Sequence, residues 1–319
     1  MMIPRTLPVR RPLRRAGALV AAGLTVLATL AGCASGAGSA GGDRTVGVTL
    51  NAASNPFFLA EGKAIEAAAG PGVRVSVQYA NADVATQSNQ IDTFIRQRVS
   101  SIVVDAVDSD GIGPAVLRAK QAGIPVVAID VAAAGADATV ASDNVQAGRD
   151  ACGYLAEQLG GRAKIAIVDG SAVSAIADRM TGCRQALAQA PGIEVVATQR
   201  ADLTRDKSMT VASNILTAHP DVAGFFGVND PTAIGIALAA QQKGVRVKIA
   251  GVDGARQLTD LFGDGLIIGT SGQDPAKLGR TGLDLATRLA RKEQAPSAPV
   301  LIPTVLVTPQ TLGSYPSWG

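Results

Sequence analysis

Residues 101–130 read SIVVDAVDSDGIGPAVLRAKQAGIPVVAID. The β-branched run Ser101–Ala106 is followed by a stretch of helical period, Gly111–Ala122, and then by a second β-rich run, Pro125–Asp130. A strand, a covering helix and another strand within thirty residues is the signature of a parallel βαβ unit. Working outward, the same rhythm precedes it. Thr45–Leu50 and Val73–Ala80 read as strands, Phe57–Ala69 and Ala85–Gln97 as helices. Thr139–Ser142 breaks the alternation, because a strand-like piece follows a strand with no helix between, and a crossover is expected there. The rhythm then restarts. Strands are expected at Lys164–Asp169, Glu194–Arg200, Val222–Asn229, Val247–Asp253 and Leu266–Thr270. Helices are expected near Asn144–Gly160, Ala177–Ala190, Arg205–Ala218, Pro231–Lys243 and Pro275–Lys292. The prediction is an α/β chain with two doubly wound, Rossmann-like parallel-sheet lobes.

Several of these strands end in a polar residue, namely Asp105, Asp130, Asn229 and Asp253. Ligands of open α/β sheets bind in the crevice outside the carboxyl ends of the strands. Asp and Asn also cap helices and make turns, so one such residue says little. Four at matching places in both halves point to a binding crevice.

The N-terminus has a different character. Arg5, Arg10, Arg11, Arg14 and Arg15 precede the small and aliphatic run Ala16–Leu30, and no acidic residue occurs before Asp43. A cationic segment followed by a short apolar one suits a secretory signal and is short for a stable membrane span. Leu30-Ala31-Gly32-Cys33 resembles the lipobox of bacterial lipoproteins, which implies lipidation of Cys33 and an extracytoplasmic, membrane-anchored protein. Ala34–Gly42 contains only Ala, Ser and Gly and reads as a tether. The chain carries 29 basic and 26 acidic residues; without the five leader arginines the balance becomes 24 against 26. Such a body has no electrostatic footprint for nucleic acid. Its 47% hydrophobic content with 3% aromatics and 36 glycines fits a large aliphatic core with many tight turns.

Catalysis finds little to use. His219 is the only histidine, placed to cap a helix C-terminus, and there is no G-x-S-x-G elbow or glycine-rich nucleotide fingerprint. Asp108-Ser109-Asp110-Gly111 lacks the remaining ligands of a calcium loop and reads as a helix N-terminus. No enzyme activity, metal or cofactor is expected. Cys152 and Cys183 remain once Cys33 is set aside. Outside the cytoplasm an even pair suggests a disulfide, the alternative being two buried small hydrophobes; both are expected near the starts of helices.

Ser54-Asn55-Pro56-Phe57-Phe58, directly after the first strand, resembles the opening motif of periplasmic sugar-binding proteins of the ribose/galactose type, which serve ABC transporters. Further resembling pieces run in the family's order from about Thr45 to Pro309. They are Asp108-Ser109-Asp110, Ala141-Ser142-Asp143-Asn144, Arg179-Met180-Thr181-Gly182, Leu216-Thr217-Ala218-His219-Pro220-Asp221, Val228-Asn229-Asp230, Gly251-Val252-Asp253-Gly254 and Gln273. The resemblance implies a type I periplasmic binding protein, its two lobes joined by a three-stranded hinge. The leader is residues 1–33 and the linker 34–43. One lobe holds 44–141 and 273–302, the other 142–272 and 303–319. The ligand set it implies is Asn55, Phe57, Phe58, Asp105, Asp130, Arg179, Asn229, Asp253 and Gln273, with Leu203 where the family offers an aromatic ring. The chemistry agrees: aromatic rings suit the C–H faces of a sugar, and carboxylates, amides and a guanidinium suit its hydroxyls.

Three positions depart from the ribose-type pattern. Val131 replaces an arginine, Asp105 an asparagine, and Leu203 the ring. The ligand is therefore expected to be a monosaccharide or related polyol rather than ribose in particular. The expected function is capture by hinge closure and delivery to an ABC permease by a monomeric lipoprotein. A receptor for signalling, chemotaxis or quorum sensing would use the same body. A sugar-responsive repressor would need a helix-turn-helix where this chain has its leader.

Overall fold

A computed structural model describes residues 44–319. The leader 1–33, the lipidation position Cys33 and the linker 34–43 lie outside the described residues. Among the described residues no helix is long and apolar enough to cross a membrane.

Two six-stranded sheets make up the body. The first takes β1 (Arg44–Leu50), β2 (Val73–Tyr79), β3 (Ser101–Val104), β4 (Val126–Ile129), β5 (Ala138–Ser142) and β11 (Val300–Ile302), in the order β11-β5-β4-β3-β1-β2. The second takes β6 (Arg162–Asp169), β7 (Gly192–Arg200), β8 (Gly224–Gly227), β9 (Lys248–Asp253), β10 (Ile267–Gly272) and β12 (Val305–Val307), in the order β12-β10-β9-β8-β6-β7. All pairings are parallel except β10 with β12. The chain passes between the sheets three times, after β5, after β10 and between β11 and β12.

Helices cover both faces, as parallel sheets require. α1 (Pro56–Ala67), α2 (Val84–Gln97), α3 (Gly113–Gln121) and α9 (Pro275–Ala290) pack on the first sheet. α4 (Asn144–Gln158), α5 (Ser174–Ala188), α6 (Arg205–Ala218), α7 (Asp230–Lys243) and the short α8 (Arg256–Thr259) belong with the second. Several strands hand over to helices through an Asx cap followed by proline. Asn55 accepts from the Phe57 amide with Pro56 in the first turn, and Asn229 accepts from the Thr232 amide with Pro231 in the first turn. The turn at Asp108–Gly111 differs from expectation. Asp108 accepts from the amides of Asp110 and Gly111 in an Asx turn, and α3 begins only at Gly113 after an Ile112 cap.

The central strands β3, β4 and β8 are buried along their whole length. One apolar cluster is continuous from Ile91, Phe94 and Val116 of the first lobe to Leu155, Met180 and Phe226 of the second. Two hydrogen bonds also cross the gap: the Ala132 amide donates to Ser174 Oγ at 2.8 Å, and the Ser174 amide donates to Ser109 Oγ at 3.2 Å. The lobes are in contact.

The crossing of α4 and α5 is the tightest helix contact near the gap. A Cβ at Gly148 would collide with the Arg179 carbonyl, and one at Gly182 with the Val145 carbonyl. Cys152 and Cys183 are joined as a disulfide between the same helices, with Cα atoms 5.1 Å apart. Both lie past the middle of their helices, not near the starts as the sequence suggested: α4 begins at Asn144 as expected, which puts Cys152 two turns in, and α5 begins at Ser174, three residues before the expected start.

Reducing this disulfide should lower unfolding free energy by about 3–4 kcal/mol, from loop-closure entropy alone. Urea titration with and without reductant measures it. Gly182→Ala should cost about 1–3 kcal/mol by overpacking, despite a helix-propensity gain of up to about 1 kcal/mol. An alanine variant as stable as the parent would mean that α4 and α5 can part without loss.

Candidate functional site

The residues singled out in the sequence fall largely on one locus, the carboxyl ends of both sheets. Asp105 follows β3, Asp130 follows β4, Asn229 follows β8, Asp253 ends β9, and Gln273 follows β10. Phe57 opens α1 beside β1, and Arg179 reaches in from α5. Asp105 is wholly buried. Asp130, Arg179, Asn229, Asp253, Gln273 and Phe57 are nearly so.

Arg179 is the cation of this locus. Its Nε donates to Asn144 Oδ1 at 2.8 Å, its Nη1 donates to the Val228 carbonyl at 2.9 Å, and Nη1 lies 3.5 Å from Asp253 Oδ1. Asp253 also accepts from Gln273 Nε2 at 2.8 Å. Burial pushes the Asp253 carboxyl up to about 6, against the downward pull of Arg179. Burial likewise carries Asp130 up to about 6; Arg179 across the gap pulls it down, and Asp253 pushes it further up. Carboxylates of the two lobes therefore feel one guanidinium in common.

Three candidate residues hold backbone conformations that L-residues avoid. φ is +57° at Asp130, +56° at Leu203 and +141° at Asp253. Each such residue costs about 1–3 kcal/mol and persists only where its surroundings enforce it. At Asp253 the enforcement is visible. The buried Asp230 accepts from the amides of Gly254 and Ala255 at 2.9 and 2.8 Å and from Thr270 Oγ1 at 2.7 Å, fixing the turn that aims Asp253 inward.

Asn55 and Asn229 use their amide oxygens to cap α1 and α7, so part of each side chain is committed to the fold. Asn229 Nδ2 approaches the Leu203 carbonyl at 3.5 Å, and Leu203, half-buried, lies over Gly170. Phe58 meets Phe57 edge-on, with ring centroids 5.6 Å apart.

Some site residues escaped the sequence reading. Glu61, on α1, is wholly buried near Asp105 and Asp130. Burial first, and then the charges of Asp105 and Asp130, hold the Glu61 carboxyl far above the usual carboxylate range. Gln87 clasps the loop behind Asp105, donating to the Asp105 carbonyl at 2.7 Å and accepting from the Val107 amide at 2.9 Å. Trp318, near the C-terminus, stands 5.4 Å from Phe57 at 73° and donates to the Gln273 carbonyl at 3.1 Å. It thus brings an aromatic ring to the first lobe from a segment that the sequence reading gave to the second. Its being the single tryptophan of the chain was the one available signal.

Around this geometry the polar accounting is incomplete. Both oxygens of Glu61 and of Asp105, Oδ1 of Asp130, Oγ of Ser142 and Oε1 of Gln273 are buried without a hydrogen-bond partner. An unmet buried polar group costs about 1–3 kcal/mol, so a set of them gathered at the strand ends is a feature of sites rather than of cores. Among the described residues no cluster of His, Cys, Asp and Glu has the arrangement of a metal site.

Comparison with known proteins gives the chain a family. The model of the periplasmic binding protein domain matches residues 46–294. The ribose import binding protein of Bacillus subtilis is 32% identical over 267 residues, which cover 82% of this chain and 87% of that protein. The xylitol-binding protein of Mycolicibacterium smegmatis is 33% identical over 295 residues, 90% of this chain and 84% of that protein. Among solved structures, an ABC transporter solute-binding protein from Bacillus halodurans with bound myo-inositol superposes with a TM-score of 0.81 at 27% identity, covering 87% of this chain and 98% of that one. Two facing α/β sheets, three passages of the chain between them and a buried polar locus at their carboxyl ends accompany these matches, and the chain belongs to the periplasmic binding protein domain family.

Proposed function

We propose that this protein captures a small polyhydroxylated solute, a monosaccharide or related polyol, between its two lobes outside the cytoplasm and presents it to an ABC transporter permease. The observation that carries the reading is the set of unpartnered buried acceptors on Asp105, Asp130 and Gln273, facing a guanidinium and aromatic rings at the ends of both sheets. Relatives named for ribose and xylitol, and a neighbour with bound myo-inositol, support the solute class.

In this mechanism Phe57 and Phe58 cover the apolar C–H surface of the solute while Asp105, Asp130, Asp253 and Arg179 engage its hydroxyls. Asn229 and Gln273 complete the rim. The solute favours closure because only the closed form offers contacts from both lobes at once. Residues 44–141 with 273–302 move as one lobe, and 142–272 with 303–319 as the other. The three passages between the sheets act as the hinge. No chemistry on the solute is needed. Processing before Cys33 and acylation of its thiol would tether the monomeric body to the membrane through the 34–43 linker.

Small-angle scattering on the protein with and without a saturating solute should show the envelope contracting; an unchanged envelope at saturation rules out hinge closure. Arg179→Met should weaken binding by about 2–5 kcal/mol, because Asp253 and the solute lose a buried charged partner. Calorimetry would show a near-normal affinity if Arg179 serves only the fold. Mass spectrometry of the membrane-extracted protein should find Cys33 as an acylated N-terminal residue, and a mature chain beginning elsewhere overturns the anchor.

A further inference from the structure

The C-terminal tail meets the two lobes by different forces. Toward the second lobe it is held by hydrogen bonds. Trp318 forms a parallel bridge with Ala255, and its carbonyl accepts from the Arg256 amide at 2.9 Å. The Arg256 guanidinium donates to the carbonyls of Ser317 and Gly319, each at 3.3 Å. Tyr315 lies flush on the ends of β9 and β10, where a Cβ at Gly254 or Gly272 would collide with its ring. Leu312 and Tyr315 both pack on the apolar core of the second lobe.

Toward the first lobe the contact is apolar. The Trp318 ring meets Phe57 at 5.4 Å and packs on the core cluster of the first sheet, and Gly319 lies against Pro56. Among the described residues no hydrogen bond joins residues 315–319 to residues 44–141. The asymmetry has a physical consequence. Breaking the polar side strands donors and acceptors, whereas two ring edges part without leaving a polar group unmet.

The tail touches two residues of the candidate site. Phe57 is held edge-on between Phe58 and Trp318, with centroids 5.6 and 5.4 Å away. The Gln273 carbonyl accepts from the Tyr315 hydroxyl at 2.8 Å and from Trp318 Nε1 at 3.1 Å, while its side-chain amide donates to Asp253. Groups fixed in this way lose little freedom when a solute arrives, which lowers the ordering cost of binding.

We propose that Trp318 is a clasp between the lobes and a positioning residue for the solute site. Carried on the second lobe, it docks on Phe57 when the lobes meet and leaves Phe57 when they part, acting on the solute through Phe57 and Gln273. The inference rests on the solute-capture reading and adds to it a contact between the lobes that the protein makes with itself.

Trp318 is the single tryptophan of the chain, so tryptophan emission from the full-length protein reports on the tail alone. D-ribose, xylitol and myo-inositol serve as probes, with binding followed in parallel by calorimetry. A probe that binds should move the emission to shorter wavelength and reduce its quenching by acrylamide, because the half-buried ring is covered as Phe57 comes up to it. A probe that calorimetry shows to be bound, with emission and quenching unchanged, overturns the clasp and leaves solute capture standing. No binding by any probe, from protein with a normal unfolding transition, overturns solute capture and the clasp with it.

Substitution separates the two contacts. Trp318→Ala removes the ring and should weaken binding of that probe about tenfold, the size of an edge-on aromatic pair with the area it covers. Trp318→Phe keeps a ring against Phe57 and leaves the Gln273 carbonyl its bond from Tyr315, so it should bind within about threefold of the parent. An alanine variant that binds as the parent does overturns the positioning role. A phenylalanine variant as weak as the alanine one overturns Phe57 as the residue through which Trp318 acts. The emission measurement on the parent stands whether or not either variant folds.

Discussion

Acidic groups outnumber the cation in the space between the lobes. Glu61, Asp105, Asp130 and Asp253 are buried there, and Arg179 faces Asp130 and Asp253. One guanidinium cannot neutralise four carboxylates, and burying an unpaired charge costs more than a folded domain can spare. Burial holds the carboxyls of Glu61 and Asp105 above the usual carboxylate range, which favours their neutral forms. Part of the deficit is met by dipoles. Asp253 accepts from Gln273 and lies near the amide of Asp230. What is left over is acceptor capacity with no protein partner, and a hydroxylated solute is the partner chemistry it fits.

Such a locus needs its single cation held in place, and the second lobe does so from behind. Gly148 and Gly182 let α4 and α5 approach until backbone meets backbone, and the Cys152–Cys183 disulfide joins the same pair. Asn144, the first residue of α4, then receives Arg179 Nε across that contact. A side chain with four rotatable torsions is thereby reduced to one orientation before any solute arrives, which lowers the ordering cost of binding. The strained φ at Asp130 and Asp253 belongs to the same economy of fixed directions: the turns that enforce it aim both carboxylates at the gap.

The alternation of β-branched runs and helical stretches made the two-sheet architecture legible, since a parallel strand can be continued only through a crossover and each crossover leaves a periodic helix. Asp105, Asp130, Asn229 and Asp253 were legible as strand-end polar residues. Glu61 was not. It sits within α1, where an acidic residue ordinarily faces solvent, and only packing against the first sheet shows that it is buried near Asp105. The position of Cys183 within its helix was misjudged because α5 begins at Ser174, without a side-chain cap to mark it. Trp318 was illegible for a different reason: its contacts with Phe57 and Gln273 span most of the chain, and no local period encodes them.

That C-terminal segment links the lobes in a way the strand pattern does not convey. Trp318 packs on Phe57 of the first lobe, its carbonyl accepts from the Arg256 amide of the second, and its indole N–H donates to Gln273 at the passage between them. Tyr315 donates to the same Gln273 carbonyl at 2.8 Å. Gln273 is thus fixed through its backbone by the tail and through its amide by Asp253, while its own Oε1 stays unpartnered. Leu203 supplies no ring where the family has one, and Trp318 adds an aromatic surface to Phe57 on the opposite lobe. A ring at Leu203 would close over the solute from the second lobe. A ring at Trp318 instead stiffens the wall of the first, so apolar contact is concentrated on that lobe while polar groups come from both, Asp105 and Asp130 from the first and Arg179 and Asp253 from the second. A solute with one C–H-rich flank and hydroxyls around its rim matches that arrangement.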